Sequence, residues 1–378
     1  MELFPDERKR YSQEQLSARE AQRMAEFIAW SPVVFQVSRL MLKYGILDML
    51  RDSLNGMTIE EIEQESGLSV YSLKILLEAS LSAGTILIDP STDRYTISKT
   101  GYFLLTDQST RANMDFNHDV NYRGLFYLDE AIEHGKPAGL KTLGEWPTIY
   151  EGLSKLPPQV QKSWFGFDHF YSDSSFEEAL QIVLKDTPKK LMDVGGNTGR
   201  FALSCVKHSK DVNVTIVDLP GQIGMMKRNI DGQEGAERIT GYATNLLDTA
   251  NTLPNEEWDA IWMSQFLDCF SEEEIYTILR RAADVMTDKT TLYIMETFWN
   301  RQKFETSSIC LTMTSVYFTV MANGNSKMYH SDDMVRQIER SGLHVATIHD
   351  NIGLGHSIIE VKKIVAGDKQ RLQTQDGK

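Results

Sequence analysis

Cysteine is scarce in this chain, three in 378 residues, and Cys205, Cys269 and Cys310 stand far apart with no Cys-x-x-Cys among them. So sparse and odd a set excludes a disulfide framework and offers no zinc-ligand spacing; no metal is expected, and reduced cytoplasmic thiols fit best. Positive charge is short as well. The 39 Lys and Arg against 53 Asp and Glu leave a formal charge of -14, which repels phosphate backbones and anionic head groups and argues against nucleic acid or a membrane as partner. Long apolar runs are missing too. The longest, Leu311 to Ala322, is broken by Thr312, Thr314, Ser315 and Thr319 and is shorter than the roughly 20 residues of a membrane span; it is expected to be a buried helix. Met1 to Glu20 is dense in charge where an export signal needs an apolar stretch. No internal repeat is present. What remains is globular: 41% of residues are hydrophobic, and the length suggests about two domains.

Between residues 11 and 52, Leu16, Met24, Phe27, Ile28, Val34, Phe35, Leu40, Tyr44 and Leu47 recur at helical spacing, predicting successive amphipathic helices. Thr58 followed three residues later by Glu61 reads as a capping box, and Ser66 to Ser69 as a turn. A second helix, Val70 to Ala83, is stopped by Gly84, and Thr85–Ile88 and Tyr95–Ile97 flank a turn as two short strands. Helix, turn, helix and hairpin make a winged helix over 1–105. Such a module suggests DNA binding, but Val70 to Ala83 carries one cation, Lys74, and the preceding helix holds Glu60, Glu61, Glu63 and Glu65. A protein-interaction module suits that charge better. Residues 106–185 read as a mostly helical connector and lid, and the polar end, 366–378, as a disordered tail.

From Lys189 the texture changes to short β runs alternating with helical periods: Leu191–Val194, Val212–Val217, Ala260–Ser264 and Thr291–Glu296. That alternation predicts a doubly wound α/β domain over 186–365, its parallel sheet wound by right-handed crossovers. The first strand runs into Gly195-Gly196-Asn197-Thr198-Gly199 before a helix beginning near Arg200, the turn at which such sheets bind ligands. A dinucleotide fingerprint would put glycine at 197 and 200; this chain has Asn197 and Arg200. The next strand ends in Asp218, suited to accept two ribose hydroxyls. A nucleoside without a diphosphate is the implied ligand.

These features resemble the plant-type and bacterial small-molecule O-methyltransferases. The likeness covers nearly the whole chain: the winged helix, Ala131–Lys136 with Pro147–Tyr150, Phe167-Asp168-His169-Phe170-Tyr171 in place of a Phe-Asn-x-Ala-Met lid, the glycine turn, and Val217–Pro220. Ser264–Phe270 falls where the family reads Lys-x-Ile-Leu-His-Asp-Trp, and Met328–Ser331 where it reads Glu-Arg-Thr-Glu. The resemblance implies S-adenosylmethionine as cofactor, a homodimer, and a small, aromatic acceptor. It implies that Gly195 meets the methionine moiety, Asp218 the ribose and Leu219 the adenine, with Tyr171 facing the sulfonium. Asp193, Gly199, Ser264 and the pair Asn245 and Leu246 complete the surroundings, Tyr242 being the other register for the adenine contact.

In that family a histidine removes the acceptor's proton while two glutamates orient it; here the positions hold Asp268, Glu296 and Met328. Asp268 is a weak base for a phenol unless burial raises its pKa. Asp268 and Glu296 as a carboxylate pair, with His330 or His169 as replacement base, is one expectation; Asp268 merely capping the next helix is another. Because alignment supplies much of methyl transfer, loss of the histidine leaves methylation open, of oxygen first and of nitrogen or carbon as alternatives. A different reaction such as hydroxylation, or a non-catalytic binding protein, stands beside it. Met313, Tyr317, Phe318 and Met321 lie at helical spacing as an acceptor wall or plain core.

Overall fold

The structure, a computed structural model, describes residues 11–364; the expected tail at 366–378 lies outside the described residues. The described residues divide into two units: 11–120 together with 162–167, and 121–161 together with 168–364. The segment 106–185, read from sequence as one connector, is therefore shared between the two.

In the first unit, α1 (Ala18–Lys43) opens on a capping box between Ser17 and Glu20 and runs 26 residues through Pro32. It is followed by α2 (Ile46–Asp52), α3 (Ile59–Ser66) and α4 (Val70–Ala83). The box between Thr58 and Glu61 is formed as expected, and left-handed Gly67 and Gly84 end α3 and α4, conformations that glycine adopts without strain. Strands β1 (Ile86–Asp89) and β2 (Arg94–Ile97) pair antiparallel. Arg94 reaches both Glu61 oxygens, at 2.7 and 3.0 Å, and fastens the hairpin to α3. Met41, Leu47, Ile62, Leu73, Leu77 and Ile86 form the core beneath. α4 turns Tyr71 and Ile75 outward, which is no row of phosphate contacts. Two further helices, α5 (Lys99–Thr106) and α6 (Gln108–Phe116), complete this part.

The second unit begins with α7 (Leu128–His134) and α8 (Ile149–Gly152) and includes both ends of α9 (Pro158–Asp173), then α10 (Phe176–Val183). Seven strands follow: β3 (Lys190–Val194), β4 (Asn213–Asp218), β5 (Ile239–Ala243), β6 (Ala260–Ser264), β7 (Thr291–Glu296), β8 (Leu343–Ile352) and β9 (His356–Lys363). Their order is β5-β4-β3-β6-β7-β9-β8. The first five are parallel, whereas β9 lies antiparallel to both β7 and β8, a departure from the purely parallel expectation. Burial on both faces explains the unbroken apolar runs. Met192, Val194, Ile261, Met263 and Leu292 pack on one side with α13 (Glu272–Val285) and α15 (Ser331–Arg340). Leu191, Trp262, Tyr293 and Met295 pack on the other with α10, α11 (Arg200–His208) and α12 (Pro220–Ile230). Leu311 lies in α14 (Glu305–Tyr317), and a wider turn, Phe318–Ala322, follows it. Tyr317, Phe318 and Met321 are core, while Met313 is 65% exposed. Among the described residues no helix is long and apolar enough to cross a membrane.

Candidate active site at the carboxyl edge of the sheet

The chain order reverses at β3, which has β4 on one side and β6 on the other; the crevice at the carboxyl ends of the strands there is where open α/β sheets take ligands. The strands stop nearly level. Gly195 N–H donates to Val217 at 2.8 Å and Gln265 N–H to Met295 at 2.9 Å, so Gly195, Asp218, Gln265 and Glu296 form one rim.

The glycine turn is shaped by need. Gly195 has φ +78°, and a Cβ there would sit 2.3 Å from the Phe266 ring; one at Gly196 would sit 2.7 Å from Asp193 Oδ2. Gly199 has φ +80° and caps α11, with Gly199 N–H closing onto Gly196 at 2.8 Å. Asn197 takes φ 48°, also left-handed, which asparagine tolerates. Its N–H donates to Asp218 Oδ2 at 2.9 Å, and Leu219 N–H donates to Oδ1 at 2.7 Å. Each carboxylate oxygen retains a lone pair for a ligand hydroxyl. Asp193, 2% exposed, has an oxygen with no partner; burial and the Asp218 charge push it up to about 7. Burial also raises Asp218, against the two N–H donors that lower it.

On β5, Tyr242 pairs with Val217 and is 39% exposed. Asn245 lies just beyond, its side chain accepting Leu247 N–H at 2.9 Å, and Leu246 is buried. Thr244 N–H donates to the Asp218 carbonyl, so both adenine registers lie beside Asp218. Ser264, half-buried, ends β6. Tyr171 lies in the last turn of α9, its ring edge-on to Phe170 at 5.2 Å.

Beyond β6 the chain makes a tight turn, Leu267–Cys269. Glu296 Oε1 accepts Phe266 N–H at 3.1 Å and Leu267 N–H at 2.8 Å, whereas Oε2 is buried without a partner. Glu296 thus anchors the turn that carries Asp268. Asp268 is 6% exposed, and burial raises it to about 6 although the Cys269 thiol, 3.4 Å from Oδ1, works the other way. Burial, then the neighbouring Asp268 charge, holds Glu296 well above the carboxylate range. The helix-cap expectation for Asp268 fails, because Ser271, boxed with Glu274, caps α13.

His330 is drawn elsewhere. It is the N-cap of α15, its Nδ1 accepting Asp332 N–H at 3.1 Å and its ring edge-on to Trp299. A nitrogen used as a cap acceptor is not available as a base, so His330 is corrected to a capping role. His169 is half-buried, and burial and Arg200 keep it below its ordinary value. Met328 is buried, its sulfur 3.5 Å from Thr297 Oγ1. Two residues escaped the sequence reading. Asp168 on α9 is pushed up to about 7 by burial and by Asp268, and its sequence signal was an acid where the lid pattern reads Asn. The Tyr150 hydroxyl is buried, with Cys269 and, more weakly, Asp268 in its electrostatic surroundings; the segment Pro147–Tyr150 is part of the family likeness but gives this tyrosine no role.

The buried acids, the unpaired oxygens and the side-chain-free turn suit a cationic nucleoside. Comparison with known proteins agrees: residues 22–95 match the Dimerisation2-like domain and residues 169–336 the O-methyltransferase domain. Residues 169–336 thus carry an O-methyltransferase domain. That family uses S-adenosylmethionine. Bacteriochlorophyllide d C-20 methyltransferase of Chlorobaculum tepidum is 26% identical over 151 residues, 39% of this chain and 43% of that protein. Norreticuline-7-O-methyltransferase of Papaver somniferum is 26% identical over 187 residues, 49% of this chain and 48% of that one. The matched stretch spans less than half of either relative. The apo structure of the S-adenosylmethionine-dependent methyltransferase SibL superposes with a TM-score of 0.68 at 18% identity, over 90% of this chain and 98% of that one.

Proposed function

We propose that this family member transfers a methyl group from S-adenosylmethionine to a hydroxyl of a small, aromatic acceptor, acting as a cytoplasmic homodimer that binds neither nucleic acid nor membrane. The observation that carries it is the buried carboxylate pair Asp268 and Glu296 on the same rim as Gly195 and Asp218. The bound cofactor supplies a methyl on a positively charged sulfur. Asp193, Gly195, Gly199, Asp218, Leu219, Asn245, Leu246, Ser264 and Tyr171 would hold it, with Asp168 adding negative charge beside Asp268.

At the acceptor end, Asp268 takes the hydroxyl proton as oxygen gains the methyl and sulfur keeps the bonding electrons. Burial makes this aspartate a better base than its ordinary value allows, and its partner Glu296 fixes the turn below it. Formation of S-adenosylhomocysteine with a panel of phenols and amines tests the reading. Asp268→Asn is expected to lose about a hundredfold in turnover while cofactor affinity stays nearly intact; equal turnover in the variant refutes Asp268 as base. A panel in which the cofactor binds but no methyl moves favours the second reading, a family fold with a different reaction or none.

A further inference from the structure

One buried polar group at the rim has no task in the chemistry above: the Tyr150 hydroxyl. Tyr150 lies in α8, four residues after Trp146, whose indole occupies the space that a Cβ at Gly144 or Gly152 would need, at 2.2 and 2.4 Å. The hydroxyl oxygen is sealed from solvent and has no oxygen or nitrogen hydrogen-bond partner. Its polar surroundings are the Cys269 thiol, a weak sulfur partner within hydrogen-bond reach, Tyr317 and Asp268. Glu296 Oε2, on a side chain 2% exposed, is a second sealed orphan beside the same aspartate. Folded interiors rarely leave two polar atoms unpaired around one carboxyl group, since each has given up water for nothing. A ligand atom between them removes the deficit.

We propose that Tyr150 belongs to the acceptor site, its hydroxyl donating to the acceptor's nucleophilic oxygen while Asp268 accepts that oxygen's hydrogen. The inference rests on the methyl-transfer reading and narrows the acceptor class. A hydroxyl oxygen carries one hydrogen and two lone pairs. With the hydrogen on Asp268 and one lone pair on Tyr150, the other is left for the methyl, and its direction is fixed by the two contacts. A neutral amine has one lone pair; using it for attack leaves nothing for Tyr150 to donate to. Tyr150 therefore selects oxygen over nitrogen.

Tyr150→Phe tests this in three measurements on the full chain: thermal melting without ligand, calorimetry with S-adenosylmethionine, and S-adenosylhomocysteine formation with 2-naphthol and 2-naphthylamine. Deleting an unpaired hydroxyl is expected to leave the melting temperature equal to or above wild type, the pattern of a group kept for function at the expense of stability. Cofactor affinity should stay within about twofold, and methylation of the naphthol should fall about tenfold or more relative to the naphthylamine. A melting temperature several degrees lower would mean that the hydroxyl is already satisfied inside the protein and overturns the proposal, as does undiminished naphthol methylation. Failure of the wild-type chain to bind the cofactor defeats the methyl-transfer reading instead and leaves the melting result to judge Tyr150.

Discussion

Asp218 and Asn197 close the crevice on each other: the Asn197 backbone N–H donates to Asp218 Oδ2 at 2.9 Å, joining the glycine turn to the end of β4. The carboxylate therefore holds the turn, and on the proposed reading it also offers its remaining lone pairs to a ribose. Asp218→Ala removes both, and cofactor affinity is expected to fall about a hundredfold or more. Asp218→Asn retains an acceptor oxygen for one N–H and should lose less. Calorimetry on the two variants checks the order; equal affinities would show that the acceptor oxygen retained in Asp218→Asn contributes nothing.

The inner parallel strands were legible because both faces are buried, whereas β9, equally buried but interrupted by Glu360, was not marked. Ala260–Ser264 and Thr291–Glu296 read as continuous apolar runs because helices cover the sheet on both sides. β5 was not, since beyond Ile239 its residues are exposed and Gly241 breaks the run. β8 was hidden by His344, Thr347, His349 and Asp350 on an edge strand with register shifts. In the site, Gly195, Asp218, Asp268 and Glu296 follow strands and so carry a local signal. Tyr150 and Asp168 come from helical segments whose period says nothing about what they face.

Asp193 makes the ligand-free fold sensitive to pH. Its folded value, about 7, lies above the ordinary 3.8, so the folded state holds a proton that the unfolded chain has already released, and stability is lost as pH rises through 7. Asp168, also near 7, acts in the same sense. The buried His356, held down to about 4, opposes this only at lower pH, where the unfolded chain's imidazole takes up a proton. Between about pH 6.5 and 8 the melting temperature should therefore fall, and Asp193→Asn should flatten the slope. A wild-type melting temperature that rises across this window would contradict the assignment.

Along α1, Met24, Ile28, Trp30 and Val33 are exposed by 49, 65, 61 and 49%, within the stretch matched to the Dimerisation2-like domain. So much exposed apolar surface around one helix marks a protein contact, and a second copy of the chain is the expected occupant. Ile28→Asp combined with Trp30→Asp should convert a dimer to a monomer by light scattering at about micromolar concentration. A wild-type chain already monomeric there removes the argument.

Titration calorimetry of the unmodified chain with S-adenosylmethionine at about pH 7.5 is the most direct trial of the account. Saturable uptake by each chain is expected, stronger as pH rises from about 6.5 to 8 and accompanied by proton release, because a cation binds best when Asp193 and Asp168 are ionised. Absence of binding to the folded chain, at cofactor concentrations up to about a millimolar, would contradict it.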